Sequence, residues 1–483
     1  MVKIGIDFGT TNSLVSYVAD NKIFSFLESN TAKSHPSVVW YKGLDEVVVG
    51  EAAKKQMNND DVSTSGGFVR SPKMYLGKKS VRVGGVDKDP VEIVSEIFKH
   101  LKSDICDRDE KYDIDYDDVV ITIPVSWNGK QRTDLRTAAE KAGIKIGKFV
   151  HEPLSALYGF LKKGYSGRLD DLEKKYMLVF DWGGGTLDLT LCQYYQGGLA
   201  QVLNHGIYDV GGDRFDNVVK DIVTEKAERT GSRLELATEI NLIYNCEVMK
   251  IQLSKKDIAH THIEKIGEIS VSREEYEAKI ENIIEKGVKA IDSLLRKVGL
   301  DRNSIEFCLA TGGMVATPAI QKALRLRFDR VFIPENAITL VSEGSAWIAN
   351  DAPEICLSKS FEVLNADNQY FSLIKSNERV FKDGRESFKF TTTMYCVNPK
   401  DLEAFFFFAR SKMPFDLNQL DEKIPYNYLS IPVDPNAQPF QQELKLEIIV
   451  DRNLVAKVIV SSDTTGERSE TEITELEFGI SIR

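Results

Sequence analysis

The chain has 483 residues, 42% of them hydrophobic and 28% charged, which excludes a disordered segment and exceeds what one ordinary core holds, so two or more domains are expected. A formal net charge of -11 argues against a general nucleic-acid binder, because affinity for phosphate backbones rests on clustered Lys and Arg. No apolar run reaches a membrane span, the N-terminal MVKIGIDFGTT lacks signal-peptide architecture, and six cysteines without a CxxC pair read as reduced thiols of a cytoplasmic protein.

In chain order, residues 3–7 and 118–123 read as buried strands, and residues 131–142 as a helix that Gly143 is placed to end. A polar stretch, 164–175, leads to an apolar strand at 176–180. Residues from about 215 to 299 are mostly helical, interrupted near 260–271 by strand-like alternation. Residues 351–359 read as a short tether with a weak apolar core. Beyond it, short alternating runs are separated by turns such as Asp451-Arg452-Asn453 and Thr465-Gly466, and residues 445–450 and 455–461 form a hairpin pattern. The expected organisation is an α/β unit over 1–350, a linker over 351–359 and an all-β unit over 360–483. Within the latter, alternate members of the run Phe405 to Phe408 must face opposite sides of a strand, so pocket lining and core compete as readings.

The most informative feature is a repeat. Ile4-Gly5-Ile6-Asp7-Phe8-Gly9-Thr10-Thr11, followed by Asn12, recurs as Leu178-Val179-Phe180-Asp181-Trp182-Gly183-Gly184-Gly185-Thr186, with Asp188 two residues on. Each copy is an apolar strand, an Asp, then a Gly/Thr-rich turn whose backbone N–H groups and hydroxyls suit phosphate oxygens. An Asp at each strand end can hold hydrated Mg²⁺, which prefers carboxylate, phosphate and water oxygens. Facing each other, two such loops would clamp one nucleotide. Two diglycines, Gly211-Gly212-Asp213 and Gly312-Gly313, read alone as tight turns and beside the paired loops as candidates to close over ribose and α-phosphate.

Together, residues 7–11, 181–188, His151-Glu152-Pro153, 211–216 and 312–318 resemble the nucleotide-binding domain of the seventy-kilodalton heat-shock (DnaK-type) chaperones, and residues 443–474 resemble that family's β-sandwich peptide-binding domain. The resemblance implies an actin-like (duplicated ribonuclease H-like) two-lobed ATPase plus a β-sandwich, with ATP or ADP, Mg²⁺ and K⁺ as cofactors. It implies Mg²⁺ on Asp7 and Asp181 with Asp188 nearby, and phosphate contacts from Gly9, Thr10, Thr11, Asn12, Gly183, Gly184, Gly185 and Thr186. Lys73, before Met74-Tyr75-Leu76-Gly77, matches the catalytic lysine; a solvated surface lysine is the competing reading. Glu152 matches the glutamate that links the metal site to domain movement, and it also reads as a helix-start carboxylate before Pro153.

Glu247, Lys250 and Ser254, at i, i+3 and i+7 of a helix, match ribose and adenine contacts, against a solvated face as the alternative. Ile251 and Ala316 stand where the family carries two arginines that sandwich the base. Pro124 and Arg132 resemble its switch proline and arginine relay, and Lys148 stands at a J-domain contact. Because the sequence stops at Arg483, the family's helical lid is expected to be absent. The resemblance implies an ATP-dependent chaperone that binds extended peptide, served by a J-domain co-chaperone and a nucleotide exchange factor, with no nucleic-acid or membrane partner. The main rival is a nucleotide-sensing adaptor with one dedicated partner protein; a small-molecule kinase and a filament former rank behind it.

Overall fold

The structure is a computed structural model that describes residues 1–28, 33–43, 46–57, 67–106, 113–229, 238–263, 267–381, 387–414 and 422–482. Two sheets repeat one plan. In the first, Val2–Phe8 forms a hairpin with Asn12–Ala19, which continues into Lys22–Phe26, while Ile114–Ile123 and Ile146–His151 add in parallel on the other side. In the second, Tyr176–Trp182 forms a hairpin with Thr186–Tyr195, which continues into Gly198–Tyr208, while Ile305–Thr311 and Val331–Phe332 add in parallel. The helices Glu152–Lys163 and Leu340–Asp351 fill the space between, with Leu154, Leu157, Phe160, Trp347 and Ile348 packed against apolar residues of both sheets. Because each sheet runs Asp and loop off the end of its central strand, the plan brings the two loops to one cleft.

Local signals account for the elements. The helix Gly129–Lys141 starts at Asn128, whose side chain accepts from Gln131 N–H while the Gln131 side chain accepts from Asn128 N–H, and Gly143 ends it at φ 69°. The strand-like interruption is a hairpin, Ile258–Ile263 with Gly267–Ser272. Residues 230–237 and 264–266 of the stretch expected to be mostly helical lie outside the described residues.

The strands from Phe361 to Ile473 form two four-stranded antiparallel sheets packed face to face. One runs Tyr370–Ile374, Phe361–Leu364, Glu403–Ser411, Lys423–Pro432; the other runs Ser387–Tyr395, Glu443–Asp451, Ala456–Ser461, Arg468–Ile473. Between them Phe361, Phe406, Phe408, Leu429, Leu446, Ile448 and Val458 are buried. The four-Phe run therefore splits: Phe406 and Phe408 are core, while Phe405 and Phe407 are 50% and 46% exposed on the outer face, their rings 6.2 Å apart and next to the Tyr428 ring.

Residues 351–359, expected as a tether, contain a buried strand. Asp351 ends a helix, and Ile355–Leu357 pairs antiparallel with Phe478–Ser481, which in turn pairs with Gly198–Tyr208, so two extra strands extend the second sheet. Lys359, 3% exposed, donates to the Val202 carbonyl at 3.2 Å and pairs with Glu477 at 2.8 Å, and Arg410 reaches Glu477 at 2.7 Å. The β-rich unit also sits on the first sheet's helix. Arg132 donates to Thr474 O at 2.8 Å, and Arg136 donates to Asn453 Oδ1 at 2.7 Å and Arg452 O at 3.0 Å. Among the described residues no helix is long and apolar enough to cross a membrane.

Candidate nucleotide site

The two loops meet with almost no space between them. A Cβ on Gly184 would lie 2.5 Å from Thr11 Cγ2, so only glycine lets the second loop approach the first this closely. Each loop is held from behind. In the first, Ser37 donates its hydroxyl to Gly9 O at 2.9 Å and its N–H to Thr11 O at 2.8 Å, while Asn12 Nδ2 donates to Thr11 Oγ1 at 3.3 Å. In the second, Gly183 N–H donates to Thr186 O at 2.9 Å. Gly185 faces Thr10, whose Cγ2 lies 3.6 Å from the position its Cβ would take.

The diglycines close the same cleft. Gly212 N–H donates to Gly183 O and Asp213 N–H to Gly184 O, at 3.1 and 2.8 Å, docking Gly211 and its neighbours onto the second loop. Gly312 takes φ 89°, and a Cβ there would lie 2.5 Å from Asp181 Oδ1, so both conformation and proximity require glycine; Gly313 beside it is open.

Asp7, Asp181 and Asp188 gather under these loops. Asp181 sits opposite Asp188 in the hairpin register, Thr186 Oγ1 donates to Asp188 Oδ2 at 2.7 Å, and Thr122 Oγ1 donates to Asp7 Oδ1 at 2.9 Å. Loss of water raises all three acids: Asp7 and Asp188 to about 6, and Asp181 well above the carboxylate range, with the charge of Glu152 reinforcing each. Lys73 supplies the opposing charge. Its side chain is 5% exposed, its Nζ lies 2.5 Å from Glu152 Oε1, and the rings of Trp127 and Phe8 lie 5.5 and 5.9 Å away. This buried position removes the surface-lysine alternative. Glu152 is both the first residue of its helix and the partner of Lys73.

Four acids against one lysine leave an excess of buried negative charge that suits a divalent cation. Among the described residues no three His, Cys, Asp or Glu side chains form a ready metal cage; Mg²⁺ takes one or two carboxylates and fills its shell with phosphate and water. Asp7 and Asp181, with Asp188, are the residues that would hold it.

The remaining candidates lie along one edge. Lys250 Nζ pairs with Asp216 at 2.7 Å and reaches Gly212 O at 3.3 Å. Glu247 accepts from Lys54 at 2.8 Å, and Asp213 lies 3.9 Å from Arg70, so two ion pairs join opposite walls of the cleft. The Ser254 hydroxyl donates to Ile251 O, its own helix backbone. Ile251 and Ala316 are exposed. Lys148, expected to face a co-chaperone, donates to Pro353 O at 2.7 Å instead, and burial lowers its ammonium to about 8. Sequence reasoning missed Thr122, Trp127, Lys54 and Arg70, and took in Asp216 only as the end of the 211–216 motif. Only Thr122 had a local signal, a hydroxyl two residues before Pro124 at a strand end.

The family profile described as Hsp70 protein matches residues 3–81 and 76–346. The chaperone protein DnaK of Mycoplasmopsis agalactiae is 30% identical over 379 residues, covering 74% of this chain and 60% of the relative. DnaK of Mycoplasmopsis synoviae is 28% identical over 338 residues, 67% of this chain and 54% of the relative. The chaperone protein HscA of Buchnera aphidicola is 26% identical over 373 residues, 72% of this chain and 70% of the relative. The chain thus spans a little over half the length of the DnaK relatives it matches. With the family profile covering both loops, Lys73, Glu152 and both diglycines, the chain belongs to the Hsp70 family.

Proposed function

We propose that this protein is a Mg²⁺-dependent ATPase of chaperone type, in which residues 1–350 form a two-lobed, actin-like nucleotide unit and residues 360–483 bind extended peptide. The observation that carries the reading is the meeting of two phosphate loops over buried Asp7, Asp181 and Asp188, with Lys73 the cation among them. Bound Mg²⁺ would offset charge on the β- and γ-phosphates. The backbone N–H groups and threonine hydroxyls of residues 9–12 and 183–186 orient those phosphates, with Gly211, Gly212, Asp213, Gly312 and Gly313 closing over the ribose side. Lys73, steered by Glu152, donates to the γ-phosphate and aligns the attacking water. The water oxygen then bonds to the γ-phosphorus, the β–γ bridging P–O bond breaks, ADP leaves, and the water's proton passes to phosphate or solvent. Such chemistry needs positioning and charge neutralisation more than covalent participation. Glu247, Lys250 and Ser254 line the base side, where Ile251 and Ala316 supply no stacking cation. K⁺ would add charge at the same phosphates.

The exposed Phe405, Phe407 and Tyr428 rings support peptide binding, because apolar side chains of an extended segment bury well against such a platform. A second reading, a nucleotide-sensing adaptor for one dedicated partner, is favoured by the buried Ile355–Leu357 strand and the Lys359–Glu477 pair, which seat the β-rich unit on the lobes. ATPase measurement with a panel of unrelated extended peptides separates the two. Stimulation by many peptides supports the chaperone; a flat response rejects it in favour of the adaptor.

A further inference from the structure

One edge of the β-rich unit is unusually bare. The Ser387–Tyr395 strand pairs on one side with Glu443–Asp451 over nine residues without a register shift, and among the described residues no strand pairs its other side. Across the sandwich, by contrast, the Lys423–Pro432 and Arg468–Ile473 strands lie against each other and close that side. Long exposed edges template further strands, and proteins normally blunt them with proline, bulges or charge. This strand has no proline and no bulge, and Lys389 is its one charged residue. Its inward side chains Phe388, Phe390 and Met394 are half-buried, whereas Leu444, Leu446, Ile448 and Val450 on the adjacent strand are at most 1% exposed. Among the described residues the core is thus incompletely covered along this edge.

The strand is self-complementary. In an antiparallel pair about a two-fold axis through Thr391, Ser387 meets Tyr395 and Lys389 meets Thr393 on the outer face, while Phe388 meets Met394 and Phe390 meets Thr392 on the inner face. All nine residues pair, Phe388 and Met394 bury each other at the core face, and Lys389 never faces another cation across the seam. Lys389 is already neutralised by Glu447 of its own copy at 3.0 Å, so pairing brings no uncompensated charge together. Moving the axis to Lys389 would set that residue against itself. We propose that this edge joins the same edge of a second copy of the chain, making one eight-stranded sheet across a two-fold dimer.

The test is sedimentation velocity of the full chain across a concentration series, with hydrogen exchange read on residues 387–395. Reversible monomer–dimer exchange is expected, with amide protection of this strand that grows with protein concentration. Thr391→Asp sets two carboxylates together at the axis, each opposite Glu447 of its own copy, and should weaken the dimer several-fold, whereas Thr393→Glu sets a carboxylate opposite Lys389 twice and should tighten it several-fold. Both positions are exposed, and unchanged circular dichroism confirms the fold of each variant. A monomer at every concentration, or a dimer that neither substitution moves, overturns the proposal. So does protection of these amides only when an extended peptide is added, which would make the peptide the occupant.

Discussion

Removing Lys73 isolates the electrostatic logic of the cleft. In Lys73→Met the hydrocarbon stem survives between Trp127 and Phe8, but Glu152, Asp7, Asp181 and Asp188 lose their shared cation. Taking one partner from a buried ion pair costs about 3–5 kcal/mol when the survivor stays charged. Here Asp7 and Asp188 can escape by binding protons. Asp7 and Asp188 already titrate at about 6 instead of 3.8, so between those values the folded protein holds more protons than the unfolded chain. That contribution favours the fold in acid and is lost as pH rises through about 6. Loss of Lys73 pushes both acids further up, which widens the penalty at neutral pH and leaves the acid end almost untouched. The substitution should therefore cost about 3 kcal/mol at pH 7.5 and under about 1 kcal/mol at pH 5.5, without Mg²⁺ or nucleotide. Urea unfolding followed by tryptophan fluorescence reads this directly, because all four tryptophans (Trp40, Trp127, Trp182, Trp347) lie in the α/β part of the chain. An equal cost at both pH values would refute the reasoning, since the acids would then not feel Lys73 through their charge.

Three further outcomes follow from the same geometry. Asp181→Asn should weaken the Mg²⁺-dependent part of ADP binding and leave the Mg²⁺-independent part in place, as calorimetry with and without EDTA would show; equal losses in both would remove Asp181 from the cation site. Ile251→Arg restores a stacking cation at an exposed position and should tighten ADP by about 0.5–2 kcal/mol, whereas unchanged affinity in the same titration would show that the base lies elsewhere. Lys54→Met breaks the 2.8 Å bridge to Glu247 across the cleft mouth and should speed release of fluorescent ADP by up to about fivefold, a partly exposed pair being worth about 1 kcal/mol or less. An unchanged stopped-flow release rate would mean that the bridge does not hold the cleft closed.

What was legible in the sequence was local. A strand, its Asp and a Gly/Thr turn lie within a dozen residues, so both loops could be read directly, as could the helix ending at Gly143 and the hairpin whose register runs Lys445 to Ser461. Residues 355–357 were not legible as a strand because their partner, Phe478–Ser481, lies more than a hundred residues away, and a three-residue apolar run has no period to read. Trp127 and Lys54 join the site only through tertiary packing, for the same reason. The Phe405 to Phe408 run is an intermediate case. Alternation predicts that two rings face each way, but which pair is buried depends on the opposing sheet, whose Leu446 and Ile448 share the buried core with Phe406 and Phe408.

The central claim is that the paired loops hold one nucleotide and cleave its γ-phosphate with Lys73. Single-turnover hydrolysis of γ-labelled ATP by the full chain, pre-bound at one nucleotide per protein, tests it most directly when run with Mg²⁺, with EDTA, and with Lys73→Met. Labelled phosphate should be released only by the unsubstituted protein with Mg²⁺, while Lys73→Met still retains bound ATP. Phosphate release by Lys73→Met at the unsubstituted rate, or no hydrolysis by the unsubstituted protein despite stoichiometric Mg²⁺-ATP binding, would contradict it.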